Sequence, residues 1–412
     1  MTTLREKQIF WKGIIHVFSF YAISDVLNYL FQAALTHMTA TEELEFYHYI
    51  HILIGSGVIF FTPLSMLTCR EIAENRDNPE KYLEICIQAF KAFAVLSILQ
   101  SLAYPYISHK LKWNGLPLWI FVLLVIGAAG FYIMLHGILQ GLCKFSLYGF
   151  IECLLIFIQV LLSVLSVKLG MGYWGIIFAV FGGYLVINGA LLIYLKNNVT
   201  IGRWVKKRET KIWDSIKLYG MVFVISVLCS FYLNCGGNFF LKALFDEGFV
   251  REYEEVVSMG NPGMSVLSAA SVVLLPTIAW GRKEGRNIKL IFLEVMAVGL
   301  TFSMVYGWFL YAFGEKIGFL IYGKQWEHIG RYMNAVIIFI VPLGVLPIIQ
   351  NYFVGIGKLK RYMCMLGVVT AGAICIVSFM VKDMVYVPVI WGMALYVVIV
   401  RSLLLNAKME GQ

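Results

Sequence analysis

The chain has 412 residues, of which 60% are hydrophobic and 14% are charged, and its mean hydropathy is +0.79. Soluble globular domains carry about 25% charged residues, so this composition excludes an ordinary soluble protein and is typical of a polytopic membrane protein. The formal net charge of +9 does not indicate nucleic-acid binding, because the basic residues lie mainly in short segments between apolar runs.

Twelve apolar runs have at least the roughly 20 residues that a helix needs to cross the bilayer. They lie at about 11–35, 47–69, 83–107, 116–140, 146–168, 172–195, 215–237, 256–279, 288–312, 330–355, 361–382 and 384–406. We therefore predict an all-α membrane protein of about 12 transmembrane helices in two six-helix bundles. The predicted domains are an N-terminal bundle over 1–195, a basic linker over 196–214 and a C-terminal bundle over 215–412.

A basic stretch in the middle of the chain sets the predicted orientation. It runs from Lys196 to Lys217, with the sequence KNNVTIGRWVKKRETKIWDSIK, and contains seven Lys and Arg residues. Positive charge resists translocation, so this stretch is expected on the cytoplasmic side, as are most of the 33 Lys and Arg residues. Because the number of spans is even, both termini are also predicted to be cytoplasmic.

The two halves of the chain share two short patterns at nearly one spacing. In the first pattern a basic residue follows a proline by seven positions, and in the second a lysine follows a glycine by three. The first occurs at Pro63 and Arg70 and again at Pro276 and Lys283; the second occurs at Gly141 and Lys144 and again at Gly355 and Lys358. This recurrence predicts a duplication, with the copies related by a pseudo-two-fold axis along the membrane normal and a site between them.

Polar side chains deep in the predicted spans are the candidate substrate-binding residues. They are Lys91, Asp25, Asn28, Gln32, Glu152 and Gln159. The three in the first span are spaced by three and four and so share a helix face, as do the two in the fifth span, which are seven residues apart. A charged residue at membrane depth is costly unless it faces a cavity or a partner.

Lys91 has three open interpretations. It could pair with a carboxylate, for which Asp25 and Glu152 are the first candidates, line a hydrated cavity, or extend its ammonium group to the interface. It is the deepest cation of the predicted spans.

Three further patterns predict local structure. Gly175, Gly182 and Gly189 recur every seven residues, which predicts close helix packing along one face. The Asn261-Pro262-Gly263 sequence predicts a break in a helix. His51 and His136 are interpreted as core or helix-end histidines, because neither has a carboxylate nearby in the sequence. The sequence contains no cluster that predicts a metal site or a cofactor.

Several segments resemble those of a known transporter family. They are GILQGLCKF at 137–145 followed by Glu152, LGMGYWGIIFAVFGGYLV at 169–186, the Leu274-Leu275-Pro276 sequence with Arg282-Lys283, and LIYGKQWEHIGRYMNAVIIFIVPLGVLPIIQNYFVGIGKLKRY at 320–362. Together they resemble polysaccharide flippases of the multidrug/oligosaccharidyl-lipid/polysaccharide exporter superfamily. The resemblance covers most of 50–365. One departure is that the arginines found in the cavities of that family have no counterpart here, which leaves Lys91 as the candidate for the anion site.

The resemblance implies a flippase that moves a polyprenyl-diphosphate-linked oligosaccharide across the bacterial cytoplasmic membrane by alternating access. Such a protein would serve capsule, O-antigen or similar surface polysaccharide synthesis and would work beside a glycan polymerase and glycosyltransferases. Its partners would be the lipid-linked oligosaccharide and membrane lipids, with a proton or sodium ion as the coupling ion and no nucleic acid.

Other functions remain open at this stage. A drug or cation antiporter of the same superfamily would need carboxylates for proton or sodium coupling, and Asp25 could serve. A glycan polymerase is disfavoured because the predicted outer loops are short, and an O-acyltransferase because neither intramembrane histidine has an obvious partner. We expect a transporter and no enzyme, although a structural subunit of an assembly is also compatible with the sequence.

Overall fold

The structure is a computed structural model. It describes residues 4–38, 50–110 apart from 51–53, 56 and 77, 116–198, 212–233, 240–322 apart from 242–243 and 246, and 330–408 apart from 382 and 384. Within these residues every long element is an α-helix. The central part of the predicted linker, 199–211, lies outside the described residues.

Most helices follow the predicted spans, but the helix Glu247–Ser258 lies largely outside them, and the helix that begins at Ile288 ends at Tyr322 and not at 312. The helices are α1 Leu4–Met38, α2 Thr62–Glu74, α3 Pro79–Lys110, α4 Leu116–Gly141, α5 Phe145–Lys168, α6 Gly172–Asn198, α7 Ile212–Leu233, α8 Glu247–Ser258, α9 Asn261–Lys283, α10 Ile288–Tyr322, α11 Met333–Leu343, α12 Leu346–Ile356, α13 Leu359–Met380 and α14 Tyr386–Lys408. In the described part of the chain, seven stretches are long and apolar enough to cross a membrane. They are Ile120–Gly141, Phe145–Lys168, Gly172–Asn197, Ile288–Phe319, Met333–Ile356, Leu359–Met380 and Tyr386–Ala407.

Three predicted spans are interrupted in the structure, each just before a proline. The span predicted over 47–69 is interrupted at 59–61, and Pro63 lies in the first turn of α2. The span predicted over 256–279 begins only at Asn261, because α8 ends at Ser258 and Pro262 occupies the first turn of the new helix α9. The predicted break at this proline is therefore confirmed. The span predicted over 330–355 is interrupted at Gly344 and Val345, and Pro347 lies in the first turn of α12. A proline lacks the N–H that a continuous helix requires and is tolerated in a first turn.

The chain divides into two compact units, an N-terminal unit, Thr3–Tyr219, and a C-terminal unit that includes Gly220–Gln412. In the N-terminal unit α4 is the central helix, with 67% of its apolar stretch buried, whereas α5 has 17% buried. In the C-terminal unit the α11–α12 segment has 78% buried and α13 has 22%. Each unit therefore surrounds its fourth predicted span with the others. The domain boundaries and the two-fold axis stay predictions.

Close packing in the N-terminal unit depends on glycines of α4 and on only part of the predicted stripe in α6, where a Cβ added to Gly175 would lie 2.5 Å from the Cβ of Ser166. A Cβ added to Gly137 would lie 2.7 Å from the carbonyl oxygen of Ser65, and one added to Gly141 would lie 2.8 Å from that of Cys69. These approaches bring α2 against α4, as is usual for small residues in membrane helices. By contrast, a Cβ added to Gly189 would meet no atom within 4 Å, so the stripe predicted in α6 is wrong at that position.

Candidate functional site

The candidate site is organised by the tight turn between α4 and α5. The turn contains Leu142, Cys143 and Lys144, and the Lys144 N–H donates to the carbonyl oxygen of Leu139 at 3.1 Å. Because the two helices run in opposite directions from this turn, residues at equal distances from Lys144 lie at one level. His136 of α4 and Glu152 of α5 are each eight residues from Lys144, so the turn brings them face to face.

Glu152 is held by two side chains of α4. The Tyr132 hydroxyl donates to Oε2 of Glu152 at 2.5 Å, and Nδ1 of His136 lies 3.6 Å from the same oxygen. The His136 side chain is 6% exposed and the Glu152 side chain is 28% exposed. The histidine is therefore enclosed, and the carboxylate is the more accessible member of the pair.

The contact of the second ring nitrogen of His136 determines the tautomer of the neutral imidazole. Nε2 lies 3.0 Å from the backbone carbonyl oxygen of Tyr148, and a carbonyl oxygen can only accept, so we assign the hydrogen to Nε2. In a neutral imidazole, Nδ1 would then present its lone pair to the Glu152 carboxylate. The contact is favourable only when one further proton is present, either on His136 as an imidazolium or on Glu152 as an acid.

Aromatic residues enclose the pair and connect it to α1. The Tyr148 ring stacks on the His136 ring with centroids 3.7 Å apart and planes 12° apart. The Tyr21 hydroxyl of α1 donates to the Tyr148 hydroxyl at 3.4 Å. Asp25 lies four residues after Tyr21 on α1 and is half-buried. We call Tyr21, Asp25, Tyr132, His136, Tyr148 and Glu152 the carboxylate–histidine cluster.

The predicted residues of α1 and α5 have different environments. Asn28 is exposed, and the side chain of Gln32 lies outside the described residues. Gln159 donates its amide to the carbonyl oxygen of Val180 at 3.3 Å, and a Cβ on Gly183 would lie 2.6 Å from the Cγ of Gln159. The Gln159 side chain therefore joins α5 to α6, and a substrate contact for it stays a prediction.

Lys91 lies near the middle of α3 with an exposed side chain. Exposed apolar residues flank it on the same helix, among them Val95, 56% exposed, and Ile98, 61% exposed. Among the described ion pairs none includes Lys91, and the recorded partners of Glu152 are Tyr132 and His136. The proposed pairing of Lys91 with Glu152 is thus not observed, and its role in substrate binding stays a prediction.

His51 lies outside the described residues. His136 is buried near the end of α4, as the interpretation of a core or helix-end histidine predicts, but it also has a carboxylate partner that was not assigned from the sequence. Its partner Glu152 is 16 residues away in the sequence, across a turn of three residues. The signal that predicts this pair is the equal spacing of both residues from the turn. Tyr21, Tyr132 and Tyr148 were not identified from the sequence, because tyrosines are common in membrane helices and carry no spacing signal here. Over the described ranges, no three His, Cys, Asp or Glu side chains are grouped to hold a metal.

No protein-family model and no curated protein matches this chain. Among solved structures it is similar to the outward-facing conformation of a multidrug resistance MATE family transporter of the MOP superfamily, with a TM-score of 0.80 and 15% identity over 97% of this chain and 95% of that chain. It is also similar to a MATE in complex with MaL6, with a TM-score of 0.80 and 14% identity over 97% and 96%. A third is a MOP superfamily transporter from Pyrococcus furiosus, described as having a binding pocket of reverse polarity, with a TM-score of 0.79 and 14% identity over 97% and 95%.

These similarities extend over nearly the whole chain and confirm the predicted fold class. The protein is an all-α, multi-pass membrane protein with the fold of about twelve helices in two bundles that MOP superfamily transporters have. The fold is the one that solved transporters of the predicted superfamily have, and these similarities do not single out polysaccharide flippases.

Proposed function

We propose that this protein is a proton-coupled transporter that exports an organic cation or drug-like solute by alternating access. This antiporter is the alternative to a flippase that the sequence leaves open. The similar solved structures favour it, since they include a multidrug transporter. The observation that carries the proposal is the contact of Glu152 with Nδ1 of His136 inside a membrane-embedded helix pair.

The cluster links a proton to the geometry of three helices. With the extra proton, His136 and Glu152 attract each other and α4 and α5 are held together at this level. Without the extra proton, two acceptors face each other at 3.6 Å. The ionised Glu152 carboxylate is then better hydrated when it turns toward its exposed side. Tyr148 contacts both His136 and Tyr21, so such a movement would be transmitted to α1. Protonation thereby biases two arrangements of the helices, as coupling requires.

The same carboxylates account for exchange with a cation. Asp25 and Glu152 are both partly accessible, and a cationic solute stabilises the ionised form of a nearby carboxylate, whereas a proton neutralises it. Competition for this negative charge is the simplest basis of antiport, and it supports the choice of a cationic substrate.

The test is proton-driven transport by the Glu152→Gln variant. The purified chain is placed in liposomes, a pH gradient is imposed, and the movement of ethidium is followed by fluorescence. Glutamine can accept from Tyr132 and donate to a neutral His136, so the fold should persist, but it cannot bind a proton. We expect gradient-driven transport to fall by roughly tenfold or more, as for a typical coupling free energy.

Glu294→Gln is the matched control, because it removes a half-buried glutamate from a membrane helix of the C-terminal unit. It should retain transport. If Glu152→Gln at normal abundance transports ethidium as the native chain does, the proton site proposed here is wrong. Replacing the pH gradient with a sodium gradient distinguishes coupling to protons from coupling to sodium ions.

An exposed lysine favours a second candidate, the lipid-linked oligosaccharide flippase. A free ammonium group near the middle of α3 could attract a diphosphate, whereas it would repel a cationic solute. In this case Lys91→Gln should abolish flipping of a polyprenyl-diphosphate oligosaccharide in liposomes, and Lys91→Arg should retain most of it. The drug antiporter predicts instead that Lys91→Gln leaves ethidium transport intact.

A further inference from the structure

A cleft of about 660 Å³ opens in the N-terminal unit beside the α4–α5 turn. Lys12 and His16, one helical turn apart on α1, line one side, and Lys144 and Ser146 line the other. A Cβ on Gly13 would lie 2.7 Å from the Phe145 ring. Glycine at this position therefore lets α1 approach the start of α5 and form the floor of the cleft. This volume is sufficient for the headgroup of a phospholipid.

The cleft is positively charged. Lys12 and Lys144 are exposed, no ion pair recorded for the described residues includes either, and the residues that line the cleft include no Asp or Glu. Cys143 is the one thiol in the lining, and burial raises the pKa of that thiol, so it adds no negative charge. Two ammonium groups and an imidazole therefore face one space.

The start of α5 adds backbone donors to this charge. Lys144 is the residue that precedes the helix, and no side chain caps it. The first intrahelical bond runs from the Tyr148 N–H to the Lys144 carbonyl oxygen, which leaves the N–H groups of residues 145–147 without a helical acceptor. The N-terminus of a helix carries partial positive charge and favours a phosphate.

The remaining wall of the cleft is aromatic. Phe20 and Phe150 line it with ring centroids 5.9 Å apart, and Phe150 is 48% exposed. A free phosphate ion would make no favourable contact with this apolar surface. A phosphate ester with an acyl chain matches both parts, since the anion would meet the lysines and the chain would lie along the phenylalanines.

We propose that this cleft binds the phosphate of an anionic phospholipid of the surrounding membrane. Lys12, Lys144 and the N-terminus of α5 hold the phosphate, His16 and Ser146 donate hydrogen bonds to it, and Phe20 and Phe150 contact the first part of an acyl chain. Basic pockets between membrane helices are a recognised basis for such selectivity. The site is separate from the carboxylate–histidine cluster and does not depend on the proposed transport activity.

The test measures lipid binding to the purified full chain in detergent. Phosphatidylglycerol and phosphatidylcholine of equal chain length are compared by native mass spectrometry, for the native chain and for the Lys12→Gln/Lys144→Gln variant. We expect preferential retention of phosphatidylglycerol by the native chain and a loss of affinity of about tenfold or more in the variant, because two lysine–phosphate contacts are removed. Phosphatidylcholine binding should be nearly unchanged.

Lys358→Gln is the control, since Lys358 is the uncapped residue before α13, just as Lys144 is before α5. It should retain the preference. Equal binding of the two lipids by the native chain, or equal phosphatidylglycerol affinity in the double variant, would overturn the proposal. Glycerol 3-phosphate distinguishes the two sources of phosphate: competition at the concentration at which the lipid binds would overturn the lipid as ligand, and failure to compete supports it. Size-exclusion profiles confirm that each variant is folded.

Discussion

The turn between α4 and α5 and the turn between α12 and α13 have the same backbone but different surroundings. Cys143 has φ 56°, and Gly357, 214 residues later, has φ 73°. The following lysines, Lys144 and Lys358, have φ −87° and ψ 56° and φ −91° and ψ 50°. The two turns thus share one backbone conformation, at the places that the recurring Gly and Lys pattern marks, and the duplication stays a prediction.

The side chains around the two hairpins show what has diverged. Four residues of the N-terminal hairpin are compared with the residues 214 positions later in the C-terminal hairpin. The pairs are Tyr132 and Leu346, His136 and Gln350, Tyr148 and Tyr362, and Glu152 and Leu366. In the C-terminal hairpin the Gln350 amide donates to the Ser226 hydroxyl at 3.2 Å, and Tyr362 stacks on Phe353. The tyrosine beside the turn is retained while the titratable pair is replaced by neutral residues. A shared backbone therefore carries proton-binding groups in only one of the two hairpins.

The largest expected effect comes from giving the N-terminal hairpin the residues of the C-terminal one. Glu152→Leu removes the proton-binding carboxylate and leaves the buried Tyr132 hydroxyl without its acceptor, which costs about 1–3 kcal/mol. Both proton-driven transport and the unfolding temperature in detergent should fall. Adding Tyr132→Leu and His136→Gln should restore the unfolding temperature, since a buried polar pair can be replaced by apolar groups at little cost, but not transport.

This comparison separates a coupling role from a structural one. If the triple variant regains transport together with stability, the cluster serves only to hold α4 against α5. Transport lost in a triple variant of normal stability is the outcome that supports a coupling role.

A smaller effect is expected from filling the contact between α2 and α4. Gly137→Ala places a methyl group 2.7 Å from the Ser65 carbonyl oxygen. A backbone atom cannot move aside as a side-chain end can, so we expect the free energy of unfolding to fall by about 1–3 kcal/mol.

Gly127→Ala, on the same helix, is the control, because its Cβ would meet no atom within 4 Å. It should leave the unfolding temperature unchanged or slightly higher. Asn351 occupies the position 214 residues after Gly137, so the C-terminal hairpin accepts a side chain at this level. Equal stability of the two alanine variants would show that α2 can shift away from α4.

The smallest expected effect concerns the two turn residues. Cys143 adopts a left-handed backbone conformation that costs a residue with a Cβ about 1 kcal/mol and costs glycine almost nothing. Cys143→Gly should therefore raise the free energy of unfolding by a few tenths of a kcal/mol, after the greater flexibility of glycine in the unfolded chain is deducted.

The reciprocal Gly357→Cys should lower the free energy of unfolding by about 1 kcal/mol for the same reason. Thermal unfolding of both variants in one detergent checks the pair. The same sign of change in both would contradict the equivalence of the two turns.

Hydrophobicity and helix-breaking residues were sufficient to predict the fold. Apolar runs of spanning length located the helices, because each backbone polar group must be satisfied within the helix when no water is present. Pro262 marked where a helix begins, since proline cannot donate a backbone hydrogen bond, and Pro347 occupies the same first-turn position in α12. The recurring Gly141–Lys144 and Gly355–Lys358 pattern located two turns of the same backbone conformation, although its glycines lie at close helix contacts and the left-handed turn residues are Cys143 and Gly357.

The candidate site was predicted only in part, and the reason lies in contacts between helices. Glu152 and Asp25 were recognisable because a carboxylate at membrane depth is costly wherever it points. The partner of Glu152 could not be read in the same way: His136 acquires its role from the antiparallel packing of α4 on α5, and Tyr148 from its stacking on His136. Gln159 has the same spacing signal as Glu152, yet its amide is used between α5 and α6.

The sequence by itself determined the membrane environment, the approximate spans and the positions of the two matching turns, since these depend on local composition and short spacing. Only the tertiary structure decided which glycines form close contacts, which polar side chains meet, and where Lys12 faces Lys144 across a cleft. Residues far apart in sequence meet through the rotation and register of whole helices. That rotation is set by the summed packing of many side chains, which no single motif encodes.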